Sequence, residues 1–159
     1  MTIQEPLIRD FMTLQPQTIQ GKESVETAAA MMSKSGIRHL PVMKDGTLAG
    51  ILSEREVNLA SGMESIDPKQ VLVIDVCSEK PYIVLPETPL REVVDTMAKR
   101  HLGSAIVMEY GKLLGIFTTV DACRALHDLL EDTFHSMSLE SIRSFRLFLK
   151  PFGNGAEIE

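Results

Sequence analysis

The chain aligns with itself. Shifted by 65 residues, positions 8–56 fall on 73–121 without a gap. Asp10/Asp75, Pro16/Pro81, Met32/Met97, Lys34/Lys99, Val42/Val107, Met43/Met108, Gly46/Gly111, Leu48/Leu113, Gly50/Gly115 and Ile51/Ile116 are identical pairs. Most other columns exchange like for like, as Ile8 with Val73, Ile37 with Leu102 and Ser53 with Thr118. A fixed internal period means one supersecondary unit used twice, and it restricts the fold more than any single motif does.

Each copy reads strand, helix, strand, strand, helix. A short extended piece comes first, Thr18 and Ile19 or Ile83 to Leu85. Val25, Ala28, Ala29 and Met32 then fall at i, i+3, i+4 and i+7, as do Leu90, Val93, Val94 and Met97, and each set makes one apolar helical stripe. Ser24 is the expected N-cap of the first helix and Gly36 its stop. In the second copy, Thr88 is placed as cap and Pro89 at the first helical position. Two apolar runs around Asp45-Gly46, and two more around Tyr110-Gly111, read as hairpins, and a second helix follows Ser53 or Thr118. One unit of about 50 residues is too small to cover both faces of a three-stranded sheet, so the expectation is an α/β pair of tandem units packed as an intramolecular pseudo-two-fold. The expected boundaries are 8–57 for the first unit, 58–72 for a linker, 73–130 for the second unit and 131–159 for a tail outside the repeat. The tail holds Phe134, Phe145, Phe148 and Phe152, four of the six phenylalanines. Residues 141–150 read equally as an amphipathic helix or a strand, and as a strap over the chain's own core or a surface for another copy or partner.

Sixteen basic against 22 acidic side chains give a net charge of −6, which argues against nucleic acid and against anionic membranes as partners. No run approaches the roughly 18 apolar residues of a membrane span, and Glu5, Arg9 and Asp10 interrupt any leader-like start. A cytoplasmic protein with reduced thiols is the expectation, since Cys77 and Cys123 form no paired motif. No metal and no catalytic cofactor is indicated. His127 and His135, near Asp128, Glu131 and Asp132, are too loosely spaced for a ligand set, neither cysteine lies in a nucleophile motif, and no Gly-rich phosphate loop is present.

Four stretches carry a resemblance: Asp-Phe-Met-Thr at 10–13, Gly-Ile-Arg-His-Leu-Pro-Val at 36–42, Gly-Ile-Leu-Ser-Glu-Arg-Glu at 50–56 and Gly-Ile-Phe-Thr-Thr-Val-Asp at 115–121. Together they resemble a CBS (cystathionine-beta-synthase) domain in two copies, the CBS pair or Bateman module. The resemblance implies a regulatory module and not an enzyme. It would bind an adenosine-containing nucleotide (AMP, ADP, ATP or S-adenosylmethionine) in clefts between the units, signal to an unidentified effector protein, and form a homodimer. The rival expectation is a ligand-free dimerisation scaffold that works through its Phe-rich tail.

The family's ribose acceptor is the acid that ends Ser/Thr-x-x-Asp. Here the pattern stands as Thr118-x-x-Asp121, and in the first copy as Ser53-x-x-Glu56, one methylene longer. The same four residues read as capping boxes, a role compatible with binding. Carried over by the resemblance, the Asp121 cleft takes Met12, Gln17 and Thr18 near the base, Ile37, Arg38 and Pro41 as wall, and Gly103 and Ser104 toward phosphate. The second, weaker cleft at Glu56 takes Cys77, Tyr82 and Ile83, with Leu102 and Ile106 as wall. Arg38 and His39 lie toward its phosphate, or simply at the solvated start of a strand. Tyr82 would stack on a base or serve as plain packing. The better ribose acceptor thus lies in the cleft with fewer cations.

Overall fold

The computed structural model describes residues 5–62 and 67–136. The chain divides into two compact units, Met1–Ala122 and Cys123–Glu159, and the aligned positions 8–56 and 73–121 lie in the first. The stretch 141–150, left open between helix and strand, lies outside the described residues. A 3-10 turn at Ile8–Asp10 and β1 (Thr13–Leu14) lead into β2 (Ile19–Gln20), α1 (Val25–Ser35), β3 (His39–Lys44), β4 (Thr47–Ser53) and α2 (Glu54–Ser61). The second repeat gives α3 (Val73–Val76), β5 (Ile83–Val84), α4 (Leu90–Lys99), β6 (Ser104–Glu109), β7 (Lys112–Thr118) and α5 (Thr119–Ser136). Two sheets result, ordered β2-β3-β4 and β1-β7-β6-β5.

Within each repeat the strand pairings match position for position. β2 runs parallel to β3 with Ile19 beside Val42, and β5 runs parallel to β6 with Val84 beside Val107. β3/β4 and β6/β7 are antiparallel hairpins, each with a register shift after the same valine, Val42 or Val107. The parallel step needs a crossover helix, and α1 and α4 supply it. Ser24 Oγ accepts from the Thr27 N–H at 3.1 Å, and Gly36 closes α1 at φ +64°. The predicted cap and stop of α1 are therefore both in place. Val25, Ala28 and Met32 bury that helix against Leu40, Val42 and Leu52. Leu90, Val93 and Met97 of α4 are buried likewise, as are Ala105 to Val107, Ile116 and Phe117.

The two repeats exchange their leading segments. β1 pairs with β7 (Thr13 opposite Ile116), although it precedes the first repeat's sheet in sequence. Ile8 N–H donates to Thr88 O at 2.9 Å and Leu90 N–H to Pro6 O at 2.9 Å. The mirror set joins the start of the second repeat to the first: Val73 N–H to Glu23 O at 2.9 Å, Val25 N–H to Val71 O at 2.9 Å, and Ile51 and Ser78 exchanging bonds of 3.0 and 2.9 Å. Each hairpin would otherwise leave an unpaired edge on β4 or β7, and the other repeat's leader covers it. Val73 is fully buried in the first repeat's core and Ile8 is fully buried too.

Two local expectations are corrected. Pro89 is the N-cap of α4, not its first residue, because Leu7 bridges Pro89 and Pro6 takes the Leu90 N–H, which holds Pro89 extended at ψ 132°. The stretch from 58 onward is not all linker. α2 continues to Ser61, since Val57 and Ala60 are buried one helical turn apart.

The hairpin tips place two successive residues at positive φ, Asp45 and Gly46 at 49° and 78°, Tyr110 and Gly111 at 48° and 74°. Aspartate tolerates that region, whereas tyrosine gains nothing there and stands 94% exposed. Replacing Tyr110 by asparagine is expected to stabilise the protein by about 0.5–1 kcal/mol in urea unfolding; an unchanged or lower midpoint would show that the ring holds a compensating contact.

Candidate functional site

β7 ends at Thr118 and α5 begins at once, so Asp121 falls in the first helical turn. Its Oδ2 accepts from the Thr118 N–H at 2.8 Å and from Thr118 Oγ1 at 2.7 Å, while the Asp121 N–H faces Thr118 Oγ1 at 3.5 Å. The residue is 7% exposed. The first repeat repeats the device: Glu56 Oε2 accepts from the Ser53 N–H at 2.9 Å and from the Ser53 hydroxyl. Both carboxylates therefore return to their own N-cap backbone, the capping arrangement expected of this spacing, and both sit at the positive end of a helix dipole. Fixed in this way, a carboxylate is a ready acceptor for paired hydroxyls.

The strands that pair with these termini bring the next residues. His39 lies opposite Ser53, and Ser104 opposite Thr118. Arg38 O accepts from the Glu54 N–H at 2.9 Å, and Gly103 O from the Thr119 N–H at 3.1 Å, so residues 38 and 103 abut the helix starts in equivalent ways. Their side chains differ, and this is where the two-fold breaks. The imidazole of His39 crosses to Gly103, where an added Cβ would lie 2.7 Å from Nε2, so a side chain at 103 would have to push the ring aside. Burial holds the His39 pKa below its ordinary value; Glu56 and Glu54 oppose that shift, and Arg38 adds to it.

A sign follows for stability. The unfolded chain protonates His39 near the ordinary value of about 6.5, and the fold does so only at lower pH. In that window the unfolded state binds more protons, so stability is complete above about pH 6.5 and falls as the pH is lowered toward the folded value. Urea midpoints measured across that range are expected to slope less in His39→Gln than in the parent; parallel slopes would remove His39 from the account.

Two glycines shared by the repeats were not singled out as site residues in the sequence. A Cβ on Gly115 would meet Met12 Sδ at 2.6 Å and Thr13 O at 2.9 Å, and one on Gly50 would meet Cys77 Sγ at 3.0 Å. Met12 and Cys77 are equivalent positions, so each exchanged leader seats a sulfur on the strand that leads to the carboxylate. Their signal was the identical glycine in both copies. The Cys77 thiol is held above its ordinary pKa, first by burial and then by Glu79, which keeps it protonated and a poor nucleophile.

The remaining expected residues hold the frame. Gln17 Oε1 accepts from Ser35 Oγ at 3.1 Å, at the last residue of α1. At the equivalent positions the Tyr82 ring lies under the Arg100 guanidinium, 5.7 Å from its centroid, at the end of α4. Gln17 and Tyr82, both expected beside a base, thus each clasp the helix end of their own repeat. Thr18 precedes β2, and Ile83 pairs with Ile106, whose N–H donates to Tyr82 O at 2.7 Å. The N–H groups of Ile37 and Leu102 close α1 and α4 on Met32 O and Met97 O at 3.1 and 2.9 Å, and Pro41 is fully buried in β3. Among the described residues no group of three metal-ligating side chains occurs, and no helix is long and apolar enough to cross a membrane.

The family model of the CBS domain matches residues 8–61 and again 73–128. An inosine-5'-monophosphate dehydrogenase of Korarchaeum cryptofilum is 33% identical over 116 residues, 72% of this chain but 22% of that protein, so the chain spans under a quarter of that enzyme's length. Among solved structures, a putative acetoin utilization protein (AcuB) from Vibrio cholerae superposes with a TM-score of 0.75 at 26% identity, covering 85% of this chain and 100% of that one. CBSX2, crystallised in complex with AMP, shares the fold with a TM-score of 0.66 at 24% identity over 77% of this chain and 97% of its own.

Proposed function

Because this chain belongs to the CBS domain family, whose model matches both of its repeats, we propose that it is a regulatory module that binds an adenosine-containing nucleotide and passes that binding to an effector protein. The observation that carries the reading is the pair of carboxylates, Asp121 and Glu56, each fixed at a helix N-terminus by the strand that precedes it. A ribose offers two adjacent hydroxyl donors, and a buried carboxylate held by two donors of its own is the complementary acceptor. The helix start also favours an anion, which suits a phosphate on the same ligand. That a CBS protein of this fold was crystallised with AMP supports the ligand class.

In this reading the Asp121 cleft binds first, with Thr118, Met12, Gln17, Thr18, Ile37, Arg38, Pro41, Gly103 and Ser104 around it. The Glu56 cleft is the weaker, because its carboxylate sits one methylene further out. The ligand acts by favouring one of two conformations through differential affinity. No reaction is assigned to the module, and the adenine nucleotide is a regulatory ligand. Association as a homodimer belongs to the same reading.

Calorimetric titration with AMP, ADP, ATP and S-adenosylmethionine, with GTP as control, tests it. One adenosine ligand is expected to bind where GTP does not, and at 100 times its dissociation constant to stabilise the protein by about 2.7 kcal/mol, roughly 5–10 °C in midpoint. Asp121→Ala, checked for folding by its unfolding transition, is expected to weaken binding at least tenfold, about 1.4 kcal/mol, and Glu56→Ala less. Equal affinity in Asp121→Ala overturns the site, and no binding by any of the panel overturns the function.

A further inference from the structure

Arg38, His39 and Arg55 stand at the start of α2, where the second repeat has Gly103, Ser104 and Val120. His39 lies opposite Ser53 on the β3/β4 ladder, and its ring reaches Gly103 of the second repeat. The residue is half-buried, and neither ring nitrogen hydrogen-bonds a partner among the described residues. No buried side-chain nitrogen or oxygen among them lacks a partner, so both nitrogens stay open to solvent. An imidazole with two open nitrogens is available to a ligand held at the neighbouring Glu56.

The charged groups facing His39 are Glu56 and Glu54 on α2 and Arg38 beside it, and Gly103 opposite adds none. Burial holds the proton off, with a smaller contribution from Arg38, and the two carboxylates favour it. A phosphate at this place changes both sides of that balance. Its negative charge attracts a proton to the ring, and the Arg38 fork, once bonded to phosphate oxygens, opposes that proton less. Ser104, at the equivalent position beside Asp121, does not titrate in this range. Given the nucleotide reading, on which this rests, we infer that His39 makes the Glu56 cleft phosphate-specific: the phosphate binds there together with one proton, which the imidazole takes up from solvent.

The bound ligand then raises the pH at which His39 titrates. Between the free and the bound midpoint, affinity at this cleft rises as the pH falls, by at most about tenfold per unit. The free midpoint lies below the ordinary value of about 6.5, so the neutral ring of the free protein is the form the ligand converts. A phosphate monoester loses its own second proton near pH ~6 and works in the opposite direction. The titration of the ring, and not the affinity, is therefore the quantity to measure.

Proton NMR of the imidazole C–H signals of the full chain measures it. The His39 signal is the one lost in His39→Gln, and the other three histidines serve as internal references. The tightest binder among AMP, ADP and ATP, at saturation, is expected to raise the His39 midpoint by about one pH unit, a tenfold preference for the protonated ring. Adenosine, which lacks the phosphate, is expected to leave it in place. Asp121→Ala, which weakens the other cleft, is expected to keep the shift. A bound phosphate nucleotide with an unmoved His39 midpoint, an equal shift with adenosine, a shift lost in Asp121→Ala, or binding of S-adenosylmethionine alone would each overturn the inference and leave the nucleotide reading standing. Binding by none of the four overturns that reading, and this inference with it.

Discussion

Ile8→Ala is expected to cost about 2–5 kcal/mol of stability, although Ile8 stands before the first repeat's sheet and its immediate neighbours, Leu7 and Arg9, are not buried. The side chain is fully buried, and the backbone at Ile8 is bonded to Thr88 O across the exchange between repeats. Alanine keeps the backbone bond and removes the buried methylenes, leaving a cavity that the rigid sheet fills only in part. The control is Arg9→Ala. The Arg9–Glu87 ion pair spans 3.4 Å with both side chains about half exposed, and such pairs contribute at most about 1 kcal/mol. Urea denaturation of both variants separates the two effects. A loss under about 1 kcal/mol for Ile8→Ala would mean that the leader lies on the core without belonging to it.

The second large effect is expected at Phe117, the largest fully buried side chain among the described residues. It lies on β7 opposite Ala105, and the small Ala105 leaves room for the ring. The equivalent pair in the first repeat is Leu52 opposite Leu40, so the two cores divide similar volume in different ways. Phe117→Ala should cost about 3–5 kcal/mol and lower the thermal midpoint by roughly 6–20 °C. Phe117→Leu, which copies the first repeat, should cost clearly less. If leucine is as damaging as alanine, the site depends on ring shape and not on volume.

Much of this architecture is legible in the chain. The 65-residue repeat predicts two like units, and the helical stripes name Val25, Ala28, Ala29, Met32, Leu90, Val93, Val94 and Met97 as core; six are buried, while Ala29 and Val94 are half-buried. Asp45-Gly46 and Ser-x-x-Glu specify a turn and a cap because the chemistry that decides them lies within four residues. Pro89 shows where such reading ends. Its local preference is for the first helical position, but a hydrogen bond between residues 6 and 90 outweighs it.

The site divides along the same line. Thr118 with Asp121, and Ser53 with Glu56, are pairs three residues apart, so their spacing in sequence already sets their hydrogen bonds. The crossing of His39 to Gly103, the seating of Met12 and Cys77 on Gly115 and Gly50, and the closure of Gln17 on Ser35 and of Tyr82 on Arg100 join residues between 18 and 103 positions apart. No periodicity reports such pairs, because they exist only once the elements that carry them have packed together. Period, turn chemistry and capping follow from short-range sterics and hydrogen bonding, and these the sequence determined by itself. Which edge each leader covers, and which side chain then occupies the space between the repeats, was decided by the tertiary structure, where unpaired strand edges and buried apolar area are satisfied together.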